Sequence, residues 1–165
     1  MTKLPLTEAD LRRAAARLKC DIAAIAAVTE VESPKGPFLP DGRPPILFER
    51  HKFHRHTGGR FSKAHPDISN PSAGGYGRES EQWPKLDRAI QLDREAALKS
   101  ASWGAFQILG ENHQQAGFAT VQLFVNAMFK SAPAQIDAFV TFNLNDNRLL
   151  TAIRSRMWAT YARIY

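Results

Sequence analysis

Seven of the ten glycines and seven of the ten prolines in this 165-residue chain fall between Ser33 and Gly77, and the segments on either side carry helical patterns instead. Glycine and proline at that density interrupt helices and ladders alike, so the span is turn-dominated and splits the helical material in two. About 45 residues with little regular structure is an unusual length inside a compact domain, and such length usually serves function. The span is expected to wall a cleft.

Ahead of it, Thr7-Glu8-Ala9-Asp10 reads as a capping-box-like start for a helix over about 8–19, with Leu11, Ala14, Ala15 and Leu18 as its apolar stripe. Asp21 opens a second, amphipathic helix, and Pro34 ends it near Ser33 because the residue before a proline disfavours the helical basin. After Tyr76 the spacing predicts helices at about 80–91, 93–100, a short one at 103–109 stopped by Gly110, 120–130 behind a Thr120 cap, 133–143 and 147–163. In the last of these, Leu149, Leu150, Ile153, Met157, Trp158 and Tyr161 recur at helical spacing. Inside the insert, Pro45 to His51 is either a short strand or a helix start, and periodicity does not choose. The chain is mainly α with a small irregular or β-containing insert.

With 44% hydrophobic residues the chain can bury one sizeable core, so a single domain is expected. Its apolar runs fall short of the roughly 20 residues that span a bilayer, and Met1-Thr2-Lys3-Leu4-Pro5 has no signal-peptide core; a soluble protein without a secretory address is expected. Cys20, the one cysteine, excludes an intramolecular disulfide and reads as a buried structural thiol. A formal charge of +6 and a pI near 9.8 point to an anionic partner, with nucleic acid, anionic lipid and bacterial wall all possible in principle. The basic residues are scattered and not interleaved with aromatics, so no specific nucleic-acid binding is expected. His51, His54 and His56 lack a companion motif such as H-E-x-x-H, so neither a metal nor a cofactor is expected.

Two segments carry chemistry. At roughly 100° per residue, Glu32 lies within about 20° of Ile25, on the stripe that also holds Ile22 and Thr29. An acid on an apolar face, at the negative end of a helix dipole, is pushed toward its protonated form, as a glycosidic general acid requires. Glu30, about 200° around the helix, faces water and ranks second. Taken alone, Glu32 is better read as a capping or salt-bridging carboxylate at a helix end. Far downstream, Ser100-Ala101-Ser102-Trp103-Gly104-Ala105-Phe106-Gln107-Ile108 sets small residues beside Trp103, Phe106 and Gln107, a stacking face and an amide of the kind that build sugar sites. By itself that segment would more often be a helix packed in a core.

Together these segments resemble the lysozyme and soluble lytic transglycosylase superfamily. The run Asp41-Gly42-Arg43-Pro44-Pro45-Ile46-Leu47-Phe48-Glu49-Arg50-His51 adds a closer likeness. So do Gly58-Gly59-Arg60-Phe61, His65-Pro66-Asp67, Ser69-Asn70-Pro71, Gly74-Gly75-Tyr76-Gly77 and Ser100 to Gly104. From about Asp21 to the end the sequence resembles the N-acetylmuramidase family of phage endolysins. The resemblance implies a lysozyme-like fold and cleavage of the β-1,4 bond between N-acetylmuramic acid and N-acetylglucosamine in peptidoglycan, with Glu32 as acid. It also implies storage in the host cytoplasm and action on the wall in the periplasm.

A second carboxylate would stand about 5–5.5 Å from the acid in a retaining enzyme and about 6.5–9.5 Å away in an inverting one. The candidates are Asp41, Glu49, Asp67 and Glu79, with Glu49 foremost, although it could equally pair with Arg50 or another nearby base. Ser102, Trp103, Phe106 and Gln107 are expected to bind substrate, and Tyr76 either stacks on a sugar or pins its loop. Family members usually have a Gly-, Tyr- and Asn-rich tail beyond Tyr165, and many have a preceding wall-binding domain. Neither occurs in this sequence, so one monomeric catalytic domain over 1–165, with the insert at 33–77, is expected. A lytic transglycosylase and a non-catalytic cationic wall-binding module are the competing readings.

Overall fold

A computed structural model describes residues 5–32 and 36–165, the side chain of Glu32 excepted. Helix α1 (Glu8–Leu18) begins with the expected capping box: the Asp10 N–H donates to Thr7 Oγ1, and the Thr7 N–H donates back to Asp10 Oδ2 at 3.0 Å. Ala14, Ala15 and Leu18 are its buried face. Helix α2 (Ile22–Glu32) follows after Lys19, which closes α1 in the left-handed region at φ 53°. On α2, Ala24, Ile25 and Val28 are buried, Thr29 is half-buried, and Glu30 and Val31 are exposed.

The insert resolves the open choice at Pro45 to His51 by using both alternatives in turn. Ile46–Phe48 is strand β1 and Arg50–His56 is helix α3, with Glu49 as the extended hinge between them. Helices α4 (Gln82–Leu92), entered through a 3-10 turn at Glu79–Glu81, and α5 (Arg94–Lys99) follow. Asp93 separates them, accepting from the Ala96 N–H at 3.0 Å.

The short helix expected at 103–109 is instead a hairpin of strands β2 (Ala101–Trp103) and β3 (Ile108–Leu109). The three strands form one antiparallel sheet in the order β1-β2-β3, with Ile46 opposite Trp103 and Trp103 opposite Ile108. A helix fails here because the turn uses two left-handed residues, Gly104 at φ 73° and Gln107 at φ 46°. The Gly104 N–H donates to the Pro45 carbonyl at 2.9 Å, extending the pairing by one rung. A Cβ on Gly104 would lie 2.8 Å from Gln135 Oε1, and one on Gly110 would lie 2.1 Å from the Leu98 carbonyl oxygen.

Helices α6 (Val121–Lys130) and α7 (Ala132–Leu144) match the expected pair and start on Thr120 and Ser131 caps. The single helix expected over 147–163 is divided into α8 (Asn147–Arg154) and α9 (Trp158–Ile164). Arg156 takes φ 53°, and the Met157 N–H reaches back to the Ala152 carbonyl at 2.8 Å, a left-handed helix end that periodicity alone does not reveal. Among the described residues the fold is therefore mainly helical with one small sheet, and no helix is long and apolar enough to cross a membrane.

α7 lies centrally, packed against α1, α6 and α8, and its Phe139 is fully buried. The sheet packs on α4 through β1. Trp83 of α4 meets Trp103 of β2 edge-on at 5.8 Å and donates its indole N–H to the Pro44 carbonyl at 3.2 Å.

Candidate active site

Glu32 is the last residue of α2, as expected, but its side chain lies outside the described residues. The described residues of the insert and the hairpin build a site of their own. A polar cavity of about 390 Å³ is lined by Glu49, Lys52, Ser102, Gln107, Glu111 and Tyr165, among others.

Each lining residue is placed by a local backbone choice. Glu49 sits where β1 turns into α3: its N–H donates to the Ser100 carbonyl at 2.9 Å, which ties the hinge to the neighbouring strand. Its carboxylate, 17% exposed, lies 3.5 Å from His51 Nε2. Nδ1 of that imidazole is the one buried side-chain nitrogen or oxygen among the described residues without a hydrogen-bond partner. Arg50, the pairing partner considered for Glu49, instead donates to the Ser72 carbonyl at 3.2 Å.

Side chains alternate across a strand, so Trp103 points into the core while its neighbour Ser102 lines the cavity. Gln107, held in its left-handed conformation, donates from Nε2 to the Gly104 carbonyl at 2.8 Å and so braces the turn it occupies. Tyr165 closes another side, its hydroxyl donating to the Phe106 carbonyl at 2.5 Å.

Glu111 is the electrostatic hub. Lys52 Nζ lies 2.9 Å and His56 Nε2 2.8 Å from its carboxylate, and Arg55 also donates to it. Burial opposes its charge, but the hydrogen bonds from Lys52, Arg55 and His56 outweigh that and hold its carboxyl below the usual range. Burial likewise pushes the half-buried Cys20 thiol up, with the Asp21 charge adding to it.

Two expectations need correction. Trp103 and Phe106 are each 1% exposed, so neither offers a stacking face. The Trp103 indole N–H donates to the Leu98 carbonyl at 3.0 Å, and Phe106 stacks on Phe139 at 4.4 Å between centroids. Their aromatic bulk holds the hairpin against the helices, because alternation on β2 and the tight turn drive both rings inward.

Of the second-carboxylate candidates, only Glu49 lines this cavity. Asp41 pairs with Arg43 at 2.7 Å, and Asp67 pairs with Arg88 at 2.6 Å. Glu79 is exposed in the 3-10 turn, and Glu30 is exposed on α2. Tyr76 does not line the cavity; its carbonyl accepts from Gln82 Nε2 and from Lys85 Nζ, which pins the loop. The three histidines diverge: His51 faces Glu49, His54 bonds Ser62 at 2.8 Å, and His56 bonds Glu111. Among the described residues no group of three or more metal-ligating side chains is assembled.

Sequence reasoning missed Glu111, Asn112 and Tyr165. Glu111 follows Gly110 in a 3-10 turn with no recognisable motif, and it meets Lys52, Arg55 and His56 only through the fold.

The comparisons with known proteins agree with this architecture. No curated protein shows significant similarity to the chain. A crystal structure of Burkholderia AP3 phage endolysin superposes with a TM-score of 0.89 at 45% identity, covering 98% of this chain and 63% of the endolysin. This chain thus spans under two thirds of that protein's length. The N-acetylmuramidase family profile matches residues 21–165, which include α2, the insert and the hairpin. The chain belongs to the N-acetylmuramidase family.

Proposed function

We propose that this chain is a peptidoglycan hydrolase that cleaves the β-1,4 bond between N-acetylmuramic acid and N-acetylglucosamine. Glu32 serves as general acid, and Glu49 is the second carboxylate. Ser102 and Gln107 contact the glycan, Lys52 and Glu111 set the charge of the wall behind Glu49, and Glu30 is the reserve candidate for the acid. The observation that carries the reading is the gathering of a partly buried carboxylate, Glu49, with Ser102 and Gln107 in one polar cavity. Such a carboxylate either attacks the anomeric carbon or activates a water, while the acid protonates the leaving oxygen. The solved endolysin, matched over nearly the whole of this chain, supports action on bacterial walls, and the +6 charge suits an anionic surface.

The test is lysis of outer-membrane-stripped cells by Glu32→Gln and Glu49→Gln. Both changes keep shape and remove the titrating proton, so activity is expected to fall by at least about 100-fold in Glu32→Gln, within the usual reach of general acid catalysis. Full lysis by that variant would move the acid to Glu30. Mass spectrometry of the digest separates outcomes: reducing muramic ends mean hydrolysis, whereas 1,6-anhydro ends, lighter by one water, mean a lytic transglycosylase. A parent protein that sediments with walls in a salt-dependent way but cuts nothing would be a binding module.

A further inference from the structure

Beside the Glu49 cavity lies a second and larger one, of about 620 Å³, whose polar lining includes His56, Arg94, Glu95, Lys99, Glu111 and His113. Glu111 lines both cavities, so the two are neighbours across one side chain. The lining contains no Phe, Tyr or Trp ring, which disfavours a second sugar-stacking site.

Two groups in it are prepared and unspent. Arg94 Nε and Nη2 donate to Gln122 Oε1 at 3.2 and 2.7 Å, which orients the guanidinium on a neutral acceptor. Among the described residues Arg94 makes no ion pair, whereas Lys99 is matched by Glu95 at 2.6 Å. His113 is 8% exposed; its Nδ1 donates to the Gly110 carbonyl at 3.0 Å, which leaves Nε2 as the accepting nitrogen of the neutral ring. That nitrogen is open to solvent, unlike the buried His51 Nδ1, and has no hydrogen bond among the described residues. The cavity therefore presents an oriented cation for a carboxylate, an acceptor for an amide or ammonium N–H, and the acidic Glu95 at its rim.

We infer that this second cavity binds the peptide stem of peptidoglycan, with Arg94 on a stem carboxylate and His113 and Glu95 receiving its N–H groups. The inference rests on the muramidase reading of the first cavity. A stem of alternating amides and carboxylates hangs from the lactyl group of muramic acid, so a glycan held beside Glu49 delivers it across Glu111. Two acids in the lining disfavour a phosphate polymer.

The experiment compares wall glycan carrying its stems with the same glycan stripped of them by an amidase, measuring product release against substrate concentration. Wild type is expected to show a KM about tenfold lower for the stem-bearing glycan, the worth of one good charge-assisted contact. In Arg94→Ala that advantage disappears, with kcat on both substrates and KM on stripped glycan within about twofold; Arg94→Lys restores part of it. Equal KM values in wild type, or an equal loss on both substrates in Arg94→Ala, would overturn the assignment.

A second arm uses the free tetrapeptide L-Ala-γ-D-Glu-meso-diaminopimelate-D-Ala and follows the His113 ring resonances by NMR. Shifts in wild type that vanish in Arg94→Ala support the stem site, and the absence of shifts overturns it. Failure to cut either glycan would sink the muramidase reading, and the peptide arm would still decide this one.

Discussion

Gln135 is the residue whose loss should tell most about how the site is held. It sits inside α7, 1% exposed, and its carboxamide ties three separate segments together. Oε1 accepts from the Ala105 N–H at 2.7 Å, in the β2–β3 turn; Nε2 donates to the Pro37 carbonyl at 3.0 Å and to the Met128 carbonyl at 2.8 Å. Pro37 lies just beyond α2, so one side chain connects the cleft-lining hairpin with the chain that leaves Glu32. Gln135→Met keeps the length and volume but makes none of these bonds. Three buried backbone groups would then lack partners, at a cost of somewhat over about 1 kcal/mol each and about 4 kcal/mol together. The apolar replacement recovers about 1 kcal/mol of desolvation, so the expected loss is about 3 kcal/mol. At about 2–4 °C per kcal/mol for a domain of this size, Tm should fall by roughly 6–12 °C. Urea titration followed by far-UV circular dichroism measures the change directly, and an unaltered m-value would show that the folded state keeps its extent. A loss below about 1 kcal/mol would refute the reasoning, because it would mean that the three backbone groups find other partners at no cost.

Other perturbations probe the same frame. Gly104→Ala places a Cβ 2.8 Å from Gln135 Oε1 on a residue at φ 73°; the left-handed backbone alone costs about 1–2 kcal/mol, so a loss of at least about 2 kcal/mol is expected in the same titration. A variant as stable as wild type would show that the hairpin turn relaxes freely. Because the folded-state pKa of Glu111 lies below its usual 4.5, its contribution to stability is fully present above that value and lost as pH falls through the lowered one. Unfolding free energy measured at pH 7 and again below pH 4.5 should therefore decline more steeply in wild type than in Glu111→Gln. Parallel declines would show that the Lys52, Arg55 and His56 contacts give no net pH-dependent stabilisation.

The sequence by itself determined where helices begin when a side chain caps the first turn. Thr7 with Asp10, Asp93, Thr120 and Ser131 all satisfy nearby N–H groups through bonds spanning three residues, and such chemistry is readable over a short window. It also placed Glu32 at the end of α2 and picked out Glu49 and Ser102, which the fold brings to one cavity. Tertiary structure decided what depends on partners far along the chain. Seven residues around Gly104 fit a helix turn as well as a hairpin, and only pairing with Ile46 to Phe48, more than fifty positions earlier, settles them as strands. That same pairing turned Trp103 inward and left Ser102 on the cleft. Glu111 and Gln135 carry no local signal, because their charge and hydrogen bonds acquire meaning only from groups the fold delivers to them.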